Sequence, residues 1–294
     1  MDVHRLDQAD RQPPGVLVMG ASGRLGRMLA QGWRHADMTL FWQFRGRAPT
    51  AQGLVWAPLD DLRAPRVLEG RVDVILCLAG VITGDARALE ANSRLALAAI
   101  TAAQDLGARH VLLSSSAAVY GQSAAPTRED APTCPDAAYG AAKLAMERDA
   151  QARASAAGVG CTSLRFGNIA GADGLLGAIR PGRRPRLDQF ADGLGPVRSY
   201  LGPATLADIL HHLVTHLHEG GRVPSVLNVA QSPAVAMADL LDAADIGWDW
   251  TPAPEAARQH AVMDLTRLCA LRRVPAATPS QLVAEWRAWQ KACE

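Results

Sequence analysis

Short apolar runs alternate with longer stretches rich in alanine and leucine through the first 170 residues. The runs are rich in β-branched and apolar residues and predict strands, whereas the longer stretches predict helices. The predicted strands are 16–19, 39–44, 54–57, 72–78, 111–114 and 162–165, and the predicted helices are 24–35, 86–106 and 138–157. This alternation predicts an α/β fold with a doubly wound parallel sheet that carries helices on both faces.

The regular alternation weakens after residue 168, where the stretch 171–196 is rich in glycine, arginine and proline. Such a stretch predicts loops that face a substrate. Further along, 206–218 and 280–292 predict helices, and 226–229 predicts a strand that could return to the main sheet. We therefore predict a flexible tail over 1–14, a larger α/β domain over 15–168 and a smaller, mainly substrate-binding lobe over 169–294.

Charge and composition narrow the classes of partner. Thirty basic and 29 acidic side chains leave a net charge of +1, which gives no global field for nucleic acid or an anionic membrane. The N-terminal segment lacks the apolar core of a signal peptide, and no run approaches the roughly 18 apolar residues of a membrane span. These features predict a cytoplasmic protein that acts on a small molecule, without a nucleic-acid or membrane partner.

The cysteines and histidines do not predict a metal site. The five cysteines show no metal-binding spacing, and their odd number argues against a disulfide framework. His212 and His216 have the i, i+4 spacing that can hold zinc, but no HExxH motif accompanies them. We read these histidines as part of a polar helix face.

A glycine loop lies between the first predicted strand and the first predicted helix. Its sequence is Gly20-Ala-Ser-Gly23-Arg-Leu-Gly26. Glycines in this setting let the backbone turn tightly and approach a pyrophosphate at the positive end of the helix, as in Rossmann-type dinucleotide-binding domains. A tight strand-to-helix turn without a ligand is the alternative for such a pattern alone. The predicted cofactor contacts in this loop are Gly20, Ser22, Gly23, Arg24, Leu25 and Gly26.

The second strand predicts which dinucleotide binds. NAD-binding domains usually carry an acid there for the adenosine ribose, whereas this chain continues with Arg45-Gly-Arg47. Two guanidiniums suit a 2′-phosphate, so NADP(H) is preferred and NAD(H) stays open; the alternative is that these arginines point into solvent. Asp60 predicts a contact to adenine, and Leu78-Ala79-Gly80 predicts the strand end along which the nicotinamide half lies.

A tyrosine and a lysine on one predicted helix form a candidate proton-transfer pair. Tyr139 and Lys143 are four residues apart and therefore share a helix face, where the cation can stabilise a phenolate. A phenol with a pKa near 10 is a poor base at neutral pH without such help. The triplet Ser114-Ser-Ser116 ends the preceding strand and places hydroxyls at the edge where parallel sheets bind ligands.

Together these motifs resemble the extended short-chain dehydrogenase/reductase family, the NAD-dependent epimerase/dehydratase group. The resemblance extends to Asn92 and to Leu164-Arg-Phe-Gly-Asn168. It implies that Tyr139 is the general acid/base, that Lys143 holds the nicotinamide ribose and lowers the pKa of the tyrosine, and that Ser116 hydrogen-bonds the reacting carbonyl or hydroxyl. It also implies a homodimer formed through two helices.

The resemblance further implies a nucleotide-sugar substrate held by Asn168 and by Arg198, whose Arg-Ser-Tyr segment matches the family's diphosphate contact. Two departures weaken this specificity, since Gly202-Pro-Ala-Thr205 replaces a His-Val-x-Asp pattern and Phe166 replaces a proline. We predict an NADPH-dependent reductase of a nucleotide sugar or a similar carbonyl compound. The alternatives are a nucleotide-sugar 4-epimerase and a non-catalytic dinucleotide-binding sensor or scaffold.

Overall fold

The computed structural model describes residues 12–49, 53–121 and 126–292. Residues 1–11 of the predicted tail lie outside these ranges. No helix within them combines the length and the apolar character that crossing a bilayer requires.

The first half of the chain alternates strands and helices as the sequence predicts. The elements are β1 (Gly15–Met19), α1 (Arg24–Gly32), β2 (Thr39–Phe44), β3 (Gly53–Val55), β4 (Val74–Cys77), α2 (Ala86–Leu89), α3 (Ala91–Leu106), β5 (His110–Ser116), α4 (Ala138–Ala157) and β6 (Gly160–Phe166). Both α3 and α4 end at a glycine in the left-handed region, Gly107 and Gly158, the usual residue at a helix C-terminus.

The second half is built from shorter pieces around one long helix. The elements are β7 (Asn168–Ile169), β8 (Arg186–Gln189), β9 (Val197–Arg198), β10 (Tyr200–Leu201), α5 (Pro203–His218), β11 (Val226–Val229), β12 (Val235–Ala236), α6 (Met237–Ala243), β13 (Asp249–Pro252), β14 (His260–Ala261), α7 (Thr266–Leu271) and α8 (Pro279–Lys291). The irregular stretch 171–196 therefore contains a short strand, β8, which pairs with β13, rather than loops alone.

Seven parallel strands form the main sheet, in the order β11-β6-β5-β4-β1-β2-β3. The α/β, Rossmann-type prediction is confirmed by this sheet. The order reverses between β1 and β4, because the chain first adds strands on one side of β1 and then on the other. Ligands of open parallel sheets bind at such a reversal, outside the carboxyl ends of the strands. The fold thus directs attention to the residues after β1, β4, β5 and β6.

Helices cover the sheet on both faces, and the alternation along each strand divides the core. In β1, Val16 and Val18 join the cluster beneath α1 and α5, whereas Leu17 and Met19 join the cluster beneath α3 and α4. All four side chains are fully buried. A strand buried on both faces reads as a continuous apolar run, which is how the sequence reveals it.

Three elements differ locally from the predicted ones. The predicted helix 86–106 is interrupted at Glu90, and Asp85 caps the short first piece by accepting the Ala88 amide at 2.8 Å. The predicted helix 24–35 ends at Gly32, where the buried Trp33 donates its indole N–H to Ala207 O at 2.8 Å. The strand predicted at 54–57 is β3 at 53–55. The division at residue 168 stays a prediction, although β11 pairs with β6 in the main sheet.

Candidate active site

A cleft of about 620 Å³ opens at the carboxyl ends of the central strands. Its walls come from the glycine loop and α1, the ends of β4, β5 and β6, and the face of α4. The residues predicted at the site that line it are Gly23, Arg24, Leu25, Leu78, Gly80, Ser116, Tyr139, Lys143 and Asn168. Residues far apart in sequence, from the predicted cofactor and catalytic sets, thus share one cavity.

Ser116 is the last residue of β5 and caps the short turn that follows. Its backbone is extended, and its Oγ accepts the Ala118 amide at 3.2 Å. Because the amide occupies a lone pair of this oxygen, the hydroxyl proton is free to point elsewhere, and the Ser116 hydroxyl lowers the pKa of the neighbouring Tyr139 phenol. Ser116 is thereby placed between the strand end and the predicted acid/base.

Tyr139 lies in the first turn of α4, as predicted, and burial governs its protonation. Burial raises the pKa of the Tyr139 phenol, and the hydrogen bond from Ser116 lowers it by a smaller amount. The Lys143 ammonium stands 5.9 Å from the centroid of the phenol ring rather than at its oxygen. Lys143 is not among the groups that shift the pKa of this phenol here, so the lowering that the family resemblance implies stays a prediction. With its raised pKa, the phenol is a neutral proton donor at neutral pH.

Lys143 is the buried cation of the cleft, with 3% of its surface exposed. Its Nζ donates to the Ser114 carbonyl oxygen at 2.7 Å, which ties α4 to the end of β5. Burial lowers the pKa of Lys143 to about 8, while Cys77 and Glu147 act in the opposite direction. The Lys143 ammonium is thus held in place by β5, the strand that ends at Ser116.

Asn92 braces the turn that follows β4. Its amide group bonds both the N–H and the carbonyl of Val81, at 3.1 and 3.0 Å. A Cβ added at Gly80 would stand 2.8 Å from Asn92 Oδ1 and 3.2 Å from Lys143 Nζ. A side chain there would therefore crowd the wall of the cleft, which explains the glycine.

A second cavity of about 340 Å³ adjoins the cleft on the far side of the glycine loop. The predicted cofactor residues that line it are Gly20, Ser22, Gly23, Arg45, Asp60, Leu78, Ala79 and Gly80. Gly20 has a φ of 87°, and a Cβ there would stand 2.6 Å from the Ala79 nitrogen. Only glycine fits this close approach of β1 to the turn after β4.

Two predicted cofactor residues take other places. Arg47 lines a groove of about 710 Å³ with Trp33 and Trp42, which adjoins the second cavity at Ser22, because the chain bends after Arg45 and carries the second guanidinium to the α1 side of the sheet. Gly26 is buried, and a Cβ there would stand 2.5 Å from the Gly20 carbonyl oxygen. Gly26 thus serves the packing of α1 on the loop, and only Arg45 of the arginine pair lines the second cavity.

Arg198, the predicted diphosphate contact, directs its guanidinium to the backbone. It donates to the carbonyl oxygens of Val197, Gln259 and Arg258 at 2.9, 2.8 and 2.7 Å. Burial lowers the pKa of Arg198, and the neighbouring Arg258 lowers it further. These contacts make Arg198 a brace of the smaller lobe in this structure.

The sequence interpretation missed four polar residues in or beside the cavities. Gln43 is the penultimate residue of β2, and its side chain accepts the Gly20 amide at 2.9 Å. Asp173 lines the cleft, accepts the Tyr200 hydroxyl at 3.1 Å, and has its pKa raised by burial. Glu147 and Arg165 form a buried ion pair at 2.7 Å behind the catalytic residues. A charged residue within the apolar run of β6 was the signal that could have revealed this pair.

The histidine pair on α5 makes contacts of another kind. His212 and His216 stack with ring centroids 6.0 Å apart, and His212 bonds the Leu271 carbonyl oxygen. Across the ranges that the structure describes, no group of three or more His, Cys, Asp or Glu residues could hold a metal ion.

Comparison with known proteins shows the family to which the chain belongs. The sequence model described as the NAD dependent epimerase/dehydratase family matches residues 16–186. That span contains the glycine loop, Ser116, Tyr139 and Lys143.

Curated and solved relatives agree with this match. The chain is 31% identical over 245 residues to the UDP-glucose 4-epimerase of Azospirillum brasilense, covering 71% of this chain and 70% of that protein. The UDP-N-acetylglucosamine 4-epimerase of Methanobrevibacter ruminantium M1, in complex with UDP-N-acetylmuramic acid, has a TM-score of 0.77 at 17% identity and covers 97% of this chain and 100% of its own. A UDP-glucose 4-epimerase from Stenotrophomonas maltophila with bound NAD and formylated UDP-arabinopyranose has a TM-score of 0.75 at 18% identity, covering 95% and 98%.

Proposed function

The chain belongs to the NAD-dependent epimerase/dehydratase family, and on that premise we propose that it epimerises a nucleotide sugar at carbon 4 of the sugar ring. The observation that carries the proposal is the convergence of Ser116, Tyr139 and Lys143 on one cleft with the glycine loop. The 31% identity to a UDP-glucose 4-epimerase supports a uridine diphosphate sugar as the substrate.

The residues around the two cavities fit a nicotinamide dinucleotide. Gly23 is the N-cap of α1 and has no side chain to bond the first amides of the helix. These amides can therefore bind a pyrophosphate. Asp60 and Ser22 line the cavity on the adenosine side, and Gly80 and Lys143 line the cleft on the nicotinamide side. The close approach at Gly20 keeps the floor between the two cavities free of side chains.

The bound dinucleotide would supply the redox chemistry, taking a hydride from the sugar carbon and returning it. The chain itself handles the proton. Tyr139 exchanges a proton with the oxygen on the reacting carbon, and Ser116 donates a hydrogen bond that stabilises the phenolate whenever that proton has left. The buried Lys143 places a positive charge beside the phenol, in a setting where charges interact more strongly than in water.

A second candidate is the NADPH-dependent reductase that the second strand predicts. Arg45 and Gln43 line the adenosine-side cavity, and neither the last residues of β2 nor Arg45 supplies the acid that NAD-binding domains usually have there. A reductase exchanges its cofactor, so a 2′-phosphate contact would favour NADPH from solution. The identity to a 4-epimerase favours the first candidate over this one.

A non-catalytic sensor or scaffold is not retained. The chain is an enzyme of its family, and a pure dinucleotide binder has no use for a serine hydroxyl, a half-buried phenol and a buried lysine that line one cleft. The homodimer stays a prediction.

Incubation of the purified protein with UDP-glucose or UDP-galactose, followed by chromatography of the nucleotide sugars, tests the proposal. We expect interconversion without added cofactor, and a mass spectrum of the purified protein should show retained NAD. Tyr139→Phe serves as the inactive control. Net NADPH consumption with a keto-sugar nucleotide, together with no interconversion, would replace the epimerase by the reductase.

A further inference from the structure

Three polar side chains form a buried cluster behind the catalytic residues, on the α4 side of the sheet. Ser115 and Arg165 are register partners on β5 and β6, and Glu147 reaches both of them from α4. Ser115 Oγ donates to Glu147 Oε1 at 2.5 Å, and Arg165 donates to the two carboxylate oxygens at 3.0 and 2.7 Å. Each of these residues is less than 8% exposed.

Arg165 also joins the cluster to the segments beyond β5. Its third nitrogen, Nη1, donates to the Glu129 carbonyl oxygen at 3.2 Å. The guanidinium carbon stands 4.7 Å from the centroid of the Tyr120 ring, in the turn that follows Ser116. The Arg165 guanidinium therefore contacts three segments, namely α4, the turn after β5 and the segment at residue 129. The first two of these segments carry or follow the residues of the cleft.

Directional contacts of this kind are not the usual way to stabilise a core. Replacing a buried ion pair with well-packed apolar residues is often neutral or stabilising, because both charges lose their water. A bidentate ion pair, however, fixes the rotation and the axial position of a helix, since its hydrogen bonds tolerate little displacement. Tyr139, Lys143 and Glu147 are spaced four residues apart, so they share one face of α4. An ion pair that fixes the position of Glu147 on α4 therefore also fixes the positions of Tyr139 and Lys143.

The charge of Glu147 also acts on its neighbour one turn earlier. The titratable side chains that face Lys143 are Cys77 from β4 and Tyr139 and Glu147 from α4 itself. Burial raises the pKa of Cys77 to about 11 and raises that of Tyr139, so both are neutral near neutral pH. Glu147 is the anion that remains beside the buried ammonium.

We propose that Glu147, held by Arg165 and Ser115, is a positioning residue of the catalytic centre. It sets α4 so that Tyr139 faces Ser116, and its carboxylate offsets the charge of the buried Lys143. The kinetic part of this inference rests on the proposed function, whereas the electrostatic part does not.

The composition of the chain offers a direct test, because it contains two lysines, Lys143 and Lys291. Lysine labelled with ¹³C at the ε-carbon should give two resonances, of which that of the exposed Lys291 is an internal reference. We expect the titration midpoint of Lys143 to fall by at least about half a pH unit in Glu147→Gln, because a neighbouring anion is lost. Glu147→Asp, which keeps the charge, should restore most of the difference.

Glu285→Gln is the matched control, since Glu285 is also a hydrogen-bonded carboxylate but binds Thr205 at the start of α5. It should leave the Lys143 midpoint unchanged. An identical Lys143 midpoint in wild type and Glu147→Gln overturns the electrostatic part, whatever reaction the chain catalyses. This measurement needs no substrate, so it separates a failure of this inference from a failure of the epimerase proposal.

The kinetic arm uses an apolar replacement of both partners, because Glu147→Gln leaves the buried charge of Arg165 without an anion and so perturbs more than the position of α4. The double variant Glu147→Leu, Arg165→Met should keep a melting temperature close to that of wild type. We expect its kcat for UDP-galactose to fall at least about tenfold with KM within about threefold, since small misplacements of reacting groups have effects of this size. A folded double variant with the kcat of wild type would overturn the positioning role.

Discussion

The two ends of the dinucleotide site are held in different ways. At the catalytic end, Lys143 is buried and bonded to the backbone of β5, and Glu147 and Arg165 support it from behind. At the adenosine end, Ser22, Arg45 and Asp60 are exposed on loops. We therefore expect substitutions at the catalytic end to alter both the positions of the reacting groups and the charge that surrounds them. Changes at the adenosine end should alter only the contact that each side chain makes.

The largest effect is expected from Tyr139→Phe at the catalytic end. Removing the hydroxyl removes the proton donor, and general acid/base groups contribute about 10²- to 10⁴-fold. We expect kcat for nucleotide-sugar interconversion to fall by that factor, with dinucleotide affinity within about twofold of wild type. Activity at the wild-type level would show that another group moves the proton.

The next effect concerns stability and pH. Because burial lowers the pKa of Lys143 to about 8 from 10.5, the unfolded chain binds more protons than the folded chain between these values. The contribution of Lys143 to the free energy of unfolding therefore rises with pH across this window, by about 3 kcal/mol.

Urea denaturation of wild type and Lys143→Met from about pH 7 to about pH 11 measures this contribution as a difference. Other titrating groups affect both proteins and largely cancel. A difference that stays flat across the window would contradict the buried, charge-destabilised lysine.

Arg45→Ala tests the adenosine end. If the guanidinium contacts a 2′-phosphate, its removal should weaken NADPH binding about tenfold or more, because hydrogen bonds to charged groups are the stronger ones. NADH binding should change by less than about threefold, as measured by the fluorescence of either nucleotide. Equal losses for both would remove the phosphate contact and leave NAD(H) as the preferred cofactor.

The smallest effect is expected from Arg47→Ala, which matches Arg45→Ala in charge and in size. Arg47 lines the groove beside Trp33 and Trp42 rather than the cavity that Arg45 lines. We therefore expect both nucleotides to bind within about twofold of wild type. A loss of NADPH affinity comparable to that of Arg45→Ala would mean that the loop brings both arginines to the cofactor.

The sequence predicted those features that depend on residues close together in the chain. The glycine loop between β1 and α1 and the full length of α4 at 138–157 followed from local spacing, and so did the shared face of Tyr139 and Lys143. The pKa of Tyr139 did not, because it depends on burial by segments distant in sequence. Arg198 illustrates the same limit, since one of its carbonyl partners lies 61 positions away.

The placement of β11 has a consequence for synthesis on the ribosome. The strands β1 to β6 are synthesised first. One edge of β6 then stays unpaired while the segment that forms α5 is translated. When Val226–Val229 arrives, it covers that edge, and Asn228 bonds the hydroxyl of Tyr120 and the carbonyl oxygen of Thr127. Until then the nascent chain presents an open strand to other chains. Chaperone dependence of this protein should therefore be greatest for nascent chains that end before residue 229.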